Sequence, residues 1–518
     1  MKNRIYYIFA LLFMFQQVFA IYTTPGTGRN WNLDSLVTNS GGHITFSSGI
    51  YYINDTLIVS QSDTLKIFNN ATVKLGNLSF INIYGTLLVN PPDSVKFTAI
   101  DTSQKHIGIR LDSLADASVL KKLIFEYGNS IYAFNCNMMI DSCTIRYNTN
   151  YASGMQSGAI ALYKSDVTIT NCKIYRNRRA AVVSGANIAS SPTIINNLIY
   201  ENDVENGNYP QINLGAASSN PVIIRNNTII GLSPMSGGIS FLPIGSVPSL
   251  IIENNIIKKN RYGIALQNVN INAYINNNII DSNTAQGLPL LGGSGINIYG
   301  DSTIKVIATR NIIRWNLWGV TVQGSATKPL KPNFGNLSNT DTSDNGYNKI
   351  YYNSHNDTTF DFYYNITTTD TMRAENNYWG TTNADSIEAH VWHKIDFSTL
   401  GFVDYNPFRI VTGTEHNNIS IQNDFKLFDA YPNPFNPSTN IKYQIVNSEN
   451  GKWKMGNSLV ILKIYNIIGK EIATLVNEKQ SPGIYEINWD ASNYSSGIYF
   501  YRITAGGFTD TKKLILMK

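Results

Sequence analysis

The sequence predicts an all-β protein in two parts, a long stack of short β-coils followed by a small Ig-like β-sandwich. The first observation is a recurring phrase: an apolar residue, any residue, Asn-Asn, any residue and Ile, followed by another Asn and then Gly-Ile. The second is composition, since 43% hydrophobic residues, 14% charged residues and 31 Tyr suit neither a disordered nor a helical chain. The third is a change of pattern after residue 425, where Pro-rich and alternating segments replace the phrase.

The N-terminal residues 1–20 predict a cleaved signal peptide. Lys2 and Arg4 precede an apolar run at 5–15, and a small-residue cleavage site ends at Ala20. That run is shorter than the ~20 residues of a membrane-spanning helix, and no later stretch is longer. We therefore expect no integral membrane span in the mature chain. The net charge of only +5 also gives no reason to expect a nucleic-acid partner.

The repeated phrase predicts coils whose strands are fixed in length and whose loops vary. Successive copies lie between 23 and 33 residues apart, which is too variable for a coiled coil or a strict helical repeat. A single coil cannot bury its apolar face, so neighbouring coils must stack at ~4.8 Å to build a core. Asn suits the bends because it tolerates left-handed backbone and its amide can bond to the next coil. The structural Asn rungs predicted in this way are Asn171, Asn197, Asn227, Asn255, Asn278 and Asn311.

The phrase resembles that of the right-handed parallel β-helix family, the pectate-lyase-like fold. The resemblance implies three strands per coil, such as 263–266, 271–275 and 279–281, and a β-helix at about 24–408. Cys143 and Cys172 occupy the Asn position, so we expect buried thiols rather than a disulfide framework. The segment 376–408 is similar to the closing segment of secreted β-helix proteins. The polar stretch 323–375 predicts a loop insertion.

A linker at 409–425 leads to a module with alternating strands at 441–445, 460–465, 484–489, 497–503 and 508–517. From this pattern alone the module could be any small sandwich, such as a sugar-binding one. Its ordered motifs, however, resemble the type A sorting domain of the type IX secretion system, over residues 426–518. The motif residues that carry this resemblance are Tyr431, Pro432, Asn433, Pro434, Phe435, Gly469 and Gly497. The resemblance implies export through the periplasm to the outer cell surface or the medium. Its partners would be the secretion translocon and a sortase-like protease.

The regular strand faces predict no catalytic site. Outward positions on the first strand of each coil, which carry the catalytic groups of many polysaccharide-cleaving β-helices, hold no Asp or Glu here. No carboxylate pair has the arrangement that glycoside hydrolysis needs, and no Asp cluster suits Ca²⁺. His390 and His393 form the closest histidine pair, but a third metal ligand is missing nearby. We therefore predict no metal and no cofactor.

The end of the third strand predicts a basic and aromatic strip. Basic and aromatic residues recur there at one coil position, and such a strip could bind an anionic glycan by charge-assisted bonds and ring stacking. The alternative is a solvated turn with aromatics packed on their neighbours. The predicted binding residues are Arg176, Arg178, Arg179, Lys258, Lys259, Arg261, Arg314, Trp315 and Trp318.

Three functions remain open from the sequence. The favoured one is a non-catalytic, adhesin-like surface protein that binds a polysaccharide or another surface. The second is a polysaccharide lyase, glycoside hydrolase or epimerase whose active site is built by loops at 202–212, 231–238, 284–295 or 323–375. The third is a structural stalk.

Overall fold

The computed structural model describes residues 21–149, 158–287, 292–355, 358–410, 426–427, 430, 432–445, 458–480, 483–505 and 508–517. The predicted signal peptide, most of the predicted linker and Tyr431 lie outside these residues. The chain divides into two compact units, with the boundary after Ile410.

The first unit is a β-helix with three sheets that follow one another in each coil, all parallel except for the antiparallel pair Ile44–Ser47 and Ile50–Ile53 at the start of sheet C. Sheet A has strands Ile21–Thr23, Thr56–Val59, Phe80–Ile83, His106–Leu111, Gly128–Phe134, Gly158–Tyr163, Ala180–Ser184, Ile212–Leu214, Ile239–Phe241, Ile264–Asn268, Ser294–Gly300, Trp318–Gly324, Phe362–Asn365 and Val391–Trp392. Sheet B has strands Asn30–Trp31, Thr64–Ile67, Thr86–Val89, Val119–Lys121, Met139–Asp141, Thr168–Thr170, Thr193–Ile195, Val222–Arg225, Val247–Glu253, Ile271–Asn276 and Lys305–Thr309. Sheet C has strands Ile44–Ser47, Ile50–Ile53, Ala71–Leu75, Val95–Ala99, Leu123–Glu126, Thr144–Arg146, Lys173–Tyr175, Leu198–Tyr200, Thr228–Ile230, Ile256–Lys258, Ile279–Asp281, Ile312–Arg314 and Lys349–Tyr351.

The predicted fold class is confirmed. The three strands expected near residue 270 are Ile264–Asn268, Ile271–Asn276 and Ile279–Asp281, one in each sheet. Their inward residues form columns of Ile, Leu and Val, such as Ile239, Ile264 and Ile296 on sheet A. These columns lie in one continuous apolar core that runs the length of the coils.

A ladder of interior amides joins the coils at the bend between sheets B and C. The backbone N–H of each member donates to the side chain of the member in the next coil, at 2.8–3.0 Å from Cys172 to Asn197 and onward. Most members also donate through Nδ2 to the same oxygen, as Asn255 does to Asn278 at 2.9 Å. The ladder runs through Cys143, Cys172, Asn197, Asn227, Asn255, Asn278, Asn311, Asn348 and Asn377.

The prediction that Asn171 belongs to this ladder is wrong. Asn171 has φ 55° and is exposed, and its amide donates outward to Asp141 at 2.8 Å, whereas Cys172 occupies the interior position. The reason is that the two residues of each Asn pair have different structural roles. The first adopts the left-handed backbone that turns the chain, and the second bonds the coils together.

A second ladder, absent from the predicted rungs, lies at the bend between sheets C and A. One part joins Asn260, Asn283, Asn316 and Asn353, with Nδ2 to Oδ1 distances of 2.8–3.1 Å. This part ends on Asp361, which accepts from the Asn353 amide at 2.8 Å. Burial raises the pKa of Asp361. An earlier part joins Asn148, Asn177, Asn202 and Gln211.

The stretch 323–375 is not the predicted loop insertion, because it supplies further coil strands. Lys349–Tyr351 continues sheet C beside Ile312–Arg314, and Phe362–Asn365 continues sheet A beside Trp318–Gly324. Other elements here are a 3₁₀ turn, Thr342–Asp344, and the antiparallel pair Ser354–His355 and Thr358–Thr359.

Both ends of the β-helix are covered. Helix α1 (Leu33–Asn39) begins after Asn32, whose side chain accepts from the Ser35 N–H, and it buries Leu33 and Leu36. Near it, Asp63 accepts bonds from the N–H groups of Gly26 and Arg29 and from the Trp31 ring. Burial opposes ionisation of Asp63, but these hydrogen bonds outweigh it and lower its pKa.

The predicted closing segment contains short paired elements. Helix α2 (Ala384–Glu388) precedes the last sheet A strand, and Thr371–Arg373 pairs with Phe402–Asp404. The ring of Trp379 is buried and packs on Tyr405 at 6.2 Å between centroids. Large buried side chains therefore seal this end, where an open coil would leave strand edges unpaired.

The second unit is a sandwich of two antiparallel sheets around its own core. One sheet contains Lys426–Leu427, Ser438–Ile445 and Gly483–Asp490. The other contains, in spatial order, Glu471–Gln480, Ser458–Asn466, Gly497–Ala505 and Phe508–Leu516. The Glu471–Gln480 strand is an addition to the predicted set. It pairs with Ser458–Asn466 as a hairpin whose turn contains Gly469.

Candidate functional site

On the outer face of sheet A, the strand register aligns the outward residues of successive coils in columns. Neighbouring members are Ser240, Ala265, Asn297, Thr321 and Tyr363. A second outward column follows two residues later along each strand, through Gln267, Tyr299 and Gln323. This face is therefore amide- and hydroxyl-rich in its later coils.

A cleft of about 230 Å³ lies on these later coils. Its lining comprises Arg261, Tyr262, Ala265, Gln267, Gly292, Ser294, Asn297, Trp318, Thr321, Gln323 and Tyr363. The floor is ordered by hydrogen bonds, because the Asn297 amide donates to the Thr321 hydroxyl at 2.9 Å and Ser294 contacts that hydroxyl at 3.0 Å. None of the described residues that line the cleft is a carboxylate.

Aromatic rings form one side of the cleft. Trp318 lies 4.9 Å from Tyr363, and Phe360 supports it at 4.5 Å between ring centroids. Tyr363 in turn stacks on Trp392 at 6.0 Å and 18°. Trp318 and Tyr363 are half-buried, so ring surface remains open to a ligand beside the polar floor.

Arg261 and Tyr262 lie just before the strand Ile264–Asn268, two coils before Trp318 and at the same end of the sheet A strands. Arg261 donates to Asn208, a residue of the loop that follows the Leu198–Tyr200 strand, and its guanidinium lies 6.0 Å from the Tyr262 ring. Burial raises the pKa of Tyr262, so its phenol remains protonated at neutral pH. Such a phenol can donate a hydrogen bond but is a poor general base.

The structure divides the nine predicted strip residues into three positions. Lys258 and Arg314 end strands of sheet C. Arg176, Lys259 and Trp315 are the left-handed bend residues, with φ between 51° and 57°. The residues that follow the bend are Arg178, Arg179, Arg261 and Trp318. Of the nine, Arg261 and Trp318 line the cleft.

Most arginines of the strip are paired with carboxylates of neighbouring coils. Arg176 contacts Glu201 at 2.7 Å, and Arg314 contacts Asp281 at 3.0 Å while stacking 4.0 Å over the Trp315 ring. Lys258, Asp281 and Arg314 are successive register partners, so opposite charges alternate over these three coils.

The loop at 203–209 carries two carboxylates: Asp203 accepts from the N–H groups of Gly207 and Tyr209 within the loop, and Glu205 lies beside two arginines. Glu205 contacts Arg178 and Arg179 at 2.5 Å, one through each carboxylate oxygen. Burial opposes ionisation of Glu205, but the bonds and charges of Arg179 and Arg178 prevail and lower its pKa. A carboxylate with both oxygens bound in this way anchors the loop and is poorly placed to act as an acid or base.

The two histidines of the closing segment have separate partners. His393 accepts from the Val403 N–H through Nδ1 at 3.0 Å, and its Nε2 lies 2.7 Å from Glu388. His390 lies 3.1 Å from Asp361, at the end of the second ladder. No group of three or more His, Cys, Asp or Glu suited to a metal ion occurs among the described residues.

Residues 129–302 match the family model described as a right handed beta helix region, and residues 429–517 match that of a secretion system C-terminal sorting domain. No curated protein matches the chain. In the described part of the chain, none of the helices has the length and hydropathy needed to cross a membrane.

The coils and the two matches define an exported protein built on a right-handed parallel β-helix. Residues 429–517 are a sorting domain of the type IX secretion system, so the protein is delivered by that system to the cell surface or the medium.

Proposed function

We propose that the β-helix binds a polysaccharide in the sheet A cleft without cleaving it, so that the protein acts as an adhesin-like surface protein. The lining of the cleft carries this proposal. Amides and hydroxyls on a rigid floor beside exposed ring surface are what a sugar chain needs, since its hydroxyl groups bond to the former and its apolar ring faces pack on the latter. The cleft spans four coils, or about 14 Å at a spacing of ~4.8 Å, which accommodates an oligosaccharide rather than one sugar.

The absence of carboxylates from the described lining residues favours binding over hydrolysis. Glycoside hydrolysis uses two carboxyl groups on opposite sides of the scissile bond. A lyase instead needs a base and a group that neutralises a uronate. Arg261 could neutralise a carboxylate, but burial raises the pKa of Tyr262, so its phenol stays protonated at neutral pH and offers no free base. Arg261 therefore favours binding of a ligand with an anionic substituent, without cleavage of that ligand.

The route to the surface is the other part of the proposal. A signal peptide at residues 1–20 would direct the chain to the periplasm, and the sorting domain would then engage the outer-membrane translocon and a sortase-like protease. This route brings the cleft into contact with external polysaccharide. A role in binding also fits the outward positions of the first strand of each coil, which hold no Asp or Glu.

The test is glycan binding by the purified full-length protein, on an array of acidic and neutral polysaccharides. Trp318→Ala is expected to raise Kd by about tenfold, equivalent to about 1.4 kcal/mol. Trp315→Ala is the matched control, because Trp315 is exposed at the bend and lies outside the cleft lining. Gln323→Ala probes the floor without touching the aromatic cluster.

Equal loss of binding in Trp315→Ala and Trp318→Ala would move the site to the bend strip and contradict the cleft. Incubation of the wild-type protein with each bound polysaccharide, with and without Ca²⁺, tests for cleavage. New reducing ends or unsaturated products that disappear in Trp318→Ala would establish an enzyme and overturn the non-catalytic proposal.

A further inference from the structure

Most of the exposed large apolar side chains described in the sorting unit collect at one end. Among the described residues of this unit, five such side chains are exposed: Leu459 (50%), Ile467 (73%), Ile468 (82%), Ile498 (43%) and Met517 (57%). Leu459 lies near the start of the strand Ser458–Asn466, whereas the other four lie at the far end of the same sheet. We call these four residues the apolar end.

Strand register brings the four residues together. Asn466, the last residue before the isoleucine pair, is opposite Tyr499, next to Ile498. Gly497 is opposite Leu516, the residue that precedes Met517. The tip of one hairpin, the start of the adjacent strand and the end of the outer strand are therefore neighbours.

Hydrogen bonds order the hairpin tip, so its two exposed isoleucines have a defined position on the surface. The Asn466 side chain accepts from the N–H groups of Ile468 at 3.2 Å and Lys470 at 2.9 Å. The Asn466 carbonyl also accepts from the Gly469 N–H at 2.9 Å. Gly469 has φ 78°, a conformation that glycine adopts without strain.

The Pro-rich sorting motif converges on the same end. Phe435 is buried, its N–H donates to the Ile515 carbonyl at 3.0 Å, and its own carbonyl accepts from Met517 at 3.0 Å. Asn433 donates to the Lys513 carbonyl at 2.8 Å. Asn433, Phe435, Gly469 and Gly497, far apart in sequence, thus build or flank a single end of the sandwich.

We propose that the apolar end is the surface by which the type IX translocon recognises this domain, through a pocket of complementary apolar chemistry. Apolar side chains exposed this far on a folded domain mark interaction sites, because water contact is otherwise unfavourable. The choice of the translocon as the occupant rests on the proposed function, in which the sorting domain engages that machinery, and residues 429–517 match a secretion system C-terminal sorting domain. The sequence motifs then have a physical role, which is to fix the tip, Ile498 and Met517 in one arrangement.

The test uses the full chain, expressed in a bacterium that has the type IX system, and measures the ratio of surface to periplasmic protein. The double variant Ile467→Ser and Ile468→Ser is expected to lower this ratio by at least about tenfold, as the loss of a central contact does. Leu459→Ser is the matched control, an exposed apolar residue of the same strand at its other end. It should be exported like the wild type.

Two further measurements keep the result decisive if the serine variant folds poorly. Ile468→Leu retains apolar character and should be exported normally. A photo-crosslinking residue in place of Ile468 should capture an outer-membrane component of the secretion system. Normal export of the serine variant would overturn the proposal, as would cross-linking only to a second copy of this chain.

Discussion

At the scale of single residues, the two residues of each Asn pair have different structural roles although they are the same residue type. Asn254 has φ 57° and turns the chain, whereas Asn255 is buried and bonds to the coils on both sides. The sequence cannot distinguish these roles by residue type. Asn171 and Cys172 show this, since the Asn takes the turning position and a thiol takes the interior one. The two roles differ only in whether the side chain lies inside the coil or outside it.

Removal of one ladder amide should lower the free energy of unfolding. The Asn255 side-chain oxygen accepts from the backbone N–H of Asn227 at 2.9 Å and from the Asn227 Nδ2 at 3.0 Å. The Asn255 Nδ2 donates to the Ile224 carbonyl at 2.9 Å. Asn255→Ala leaves these buried groups unsatisfied, so we expect a loss of about 3 kcal/mol in the free energy of unfolding. Denaturant unfolding followed by circular dichroism measures it. Asn254→Gly keeps the left-handed turn and should change stability by less than about 1 kcal/mol.

At the scale of elements, the glycine at or just before the start of four sheet A strands is explained by space rather than by backbone freedom. Gly238, Gly263, Gly295 and Gly319 occupy this position. None of the four has φ in the left-handed region. A Cβ on each would instead meet the backbone carbonyl of the next coil. The coils can therefore approach closely here only if the side chain is absent.

Gly295→Ala should consequently weaken the stack. The added methyl carbon would lie 2.7 Å from the Gly319 carbonyl oxygen and 2.7 Å from an Ile313 methyl, and both neighbours are held in the core. Overpacking of this kind costs about 1–3 kcal/mol, which thermal unfolding can detect. Gly287→Ala is the control, because nothing lies within 4 Å of its added carbon. A variant at 295 as stable as that at 287 would contradict this account.

At the scale of the whole molecule, the fold was predictable because the repeat is one-dimensional. Each coil contacts its neighbours, so one phrase fixes strands, bends and register. Prediction failed at 323–375, where the coil with Asn348 and Asn353 lacks the Asn pair and joins strands through long loops. It also failed to place the cleft. Trp318 and Tyr363 belong to successive coils whose ladder residues, Asn316 and Asn353, lie 37 residues apart. Arg261 reaches the face through its bend, which strand periodicity does not describe.

The division into two compact units predicts that export and binding are separable. A chain ending at residue 425 should accumulate in the periplasm, while residues 411–518 joined to a periplasmic reporter should carry that reporter to the surface. Each half then retains its own function, because each has its own buried core. Fractionation with surface proteolysis measures location, and the mass of the surface form shows whether the sorting domain is removed. A truncated chain that still reaches the surface would refute the sorting role. Glycan binding by the same truncated chain, equal to that of the full protein, would place recognition within the β-helix alone.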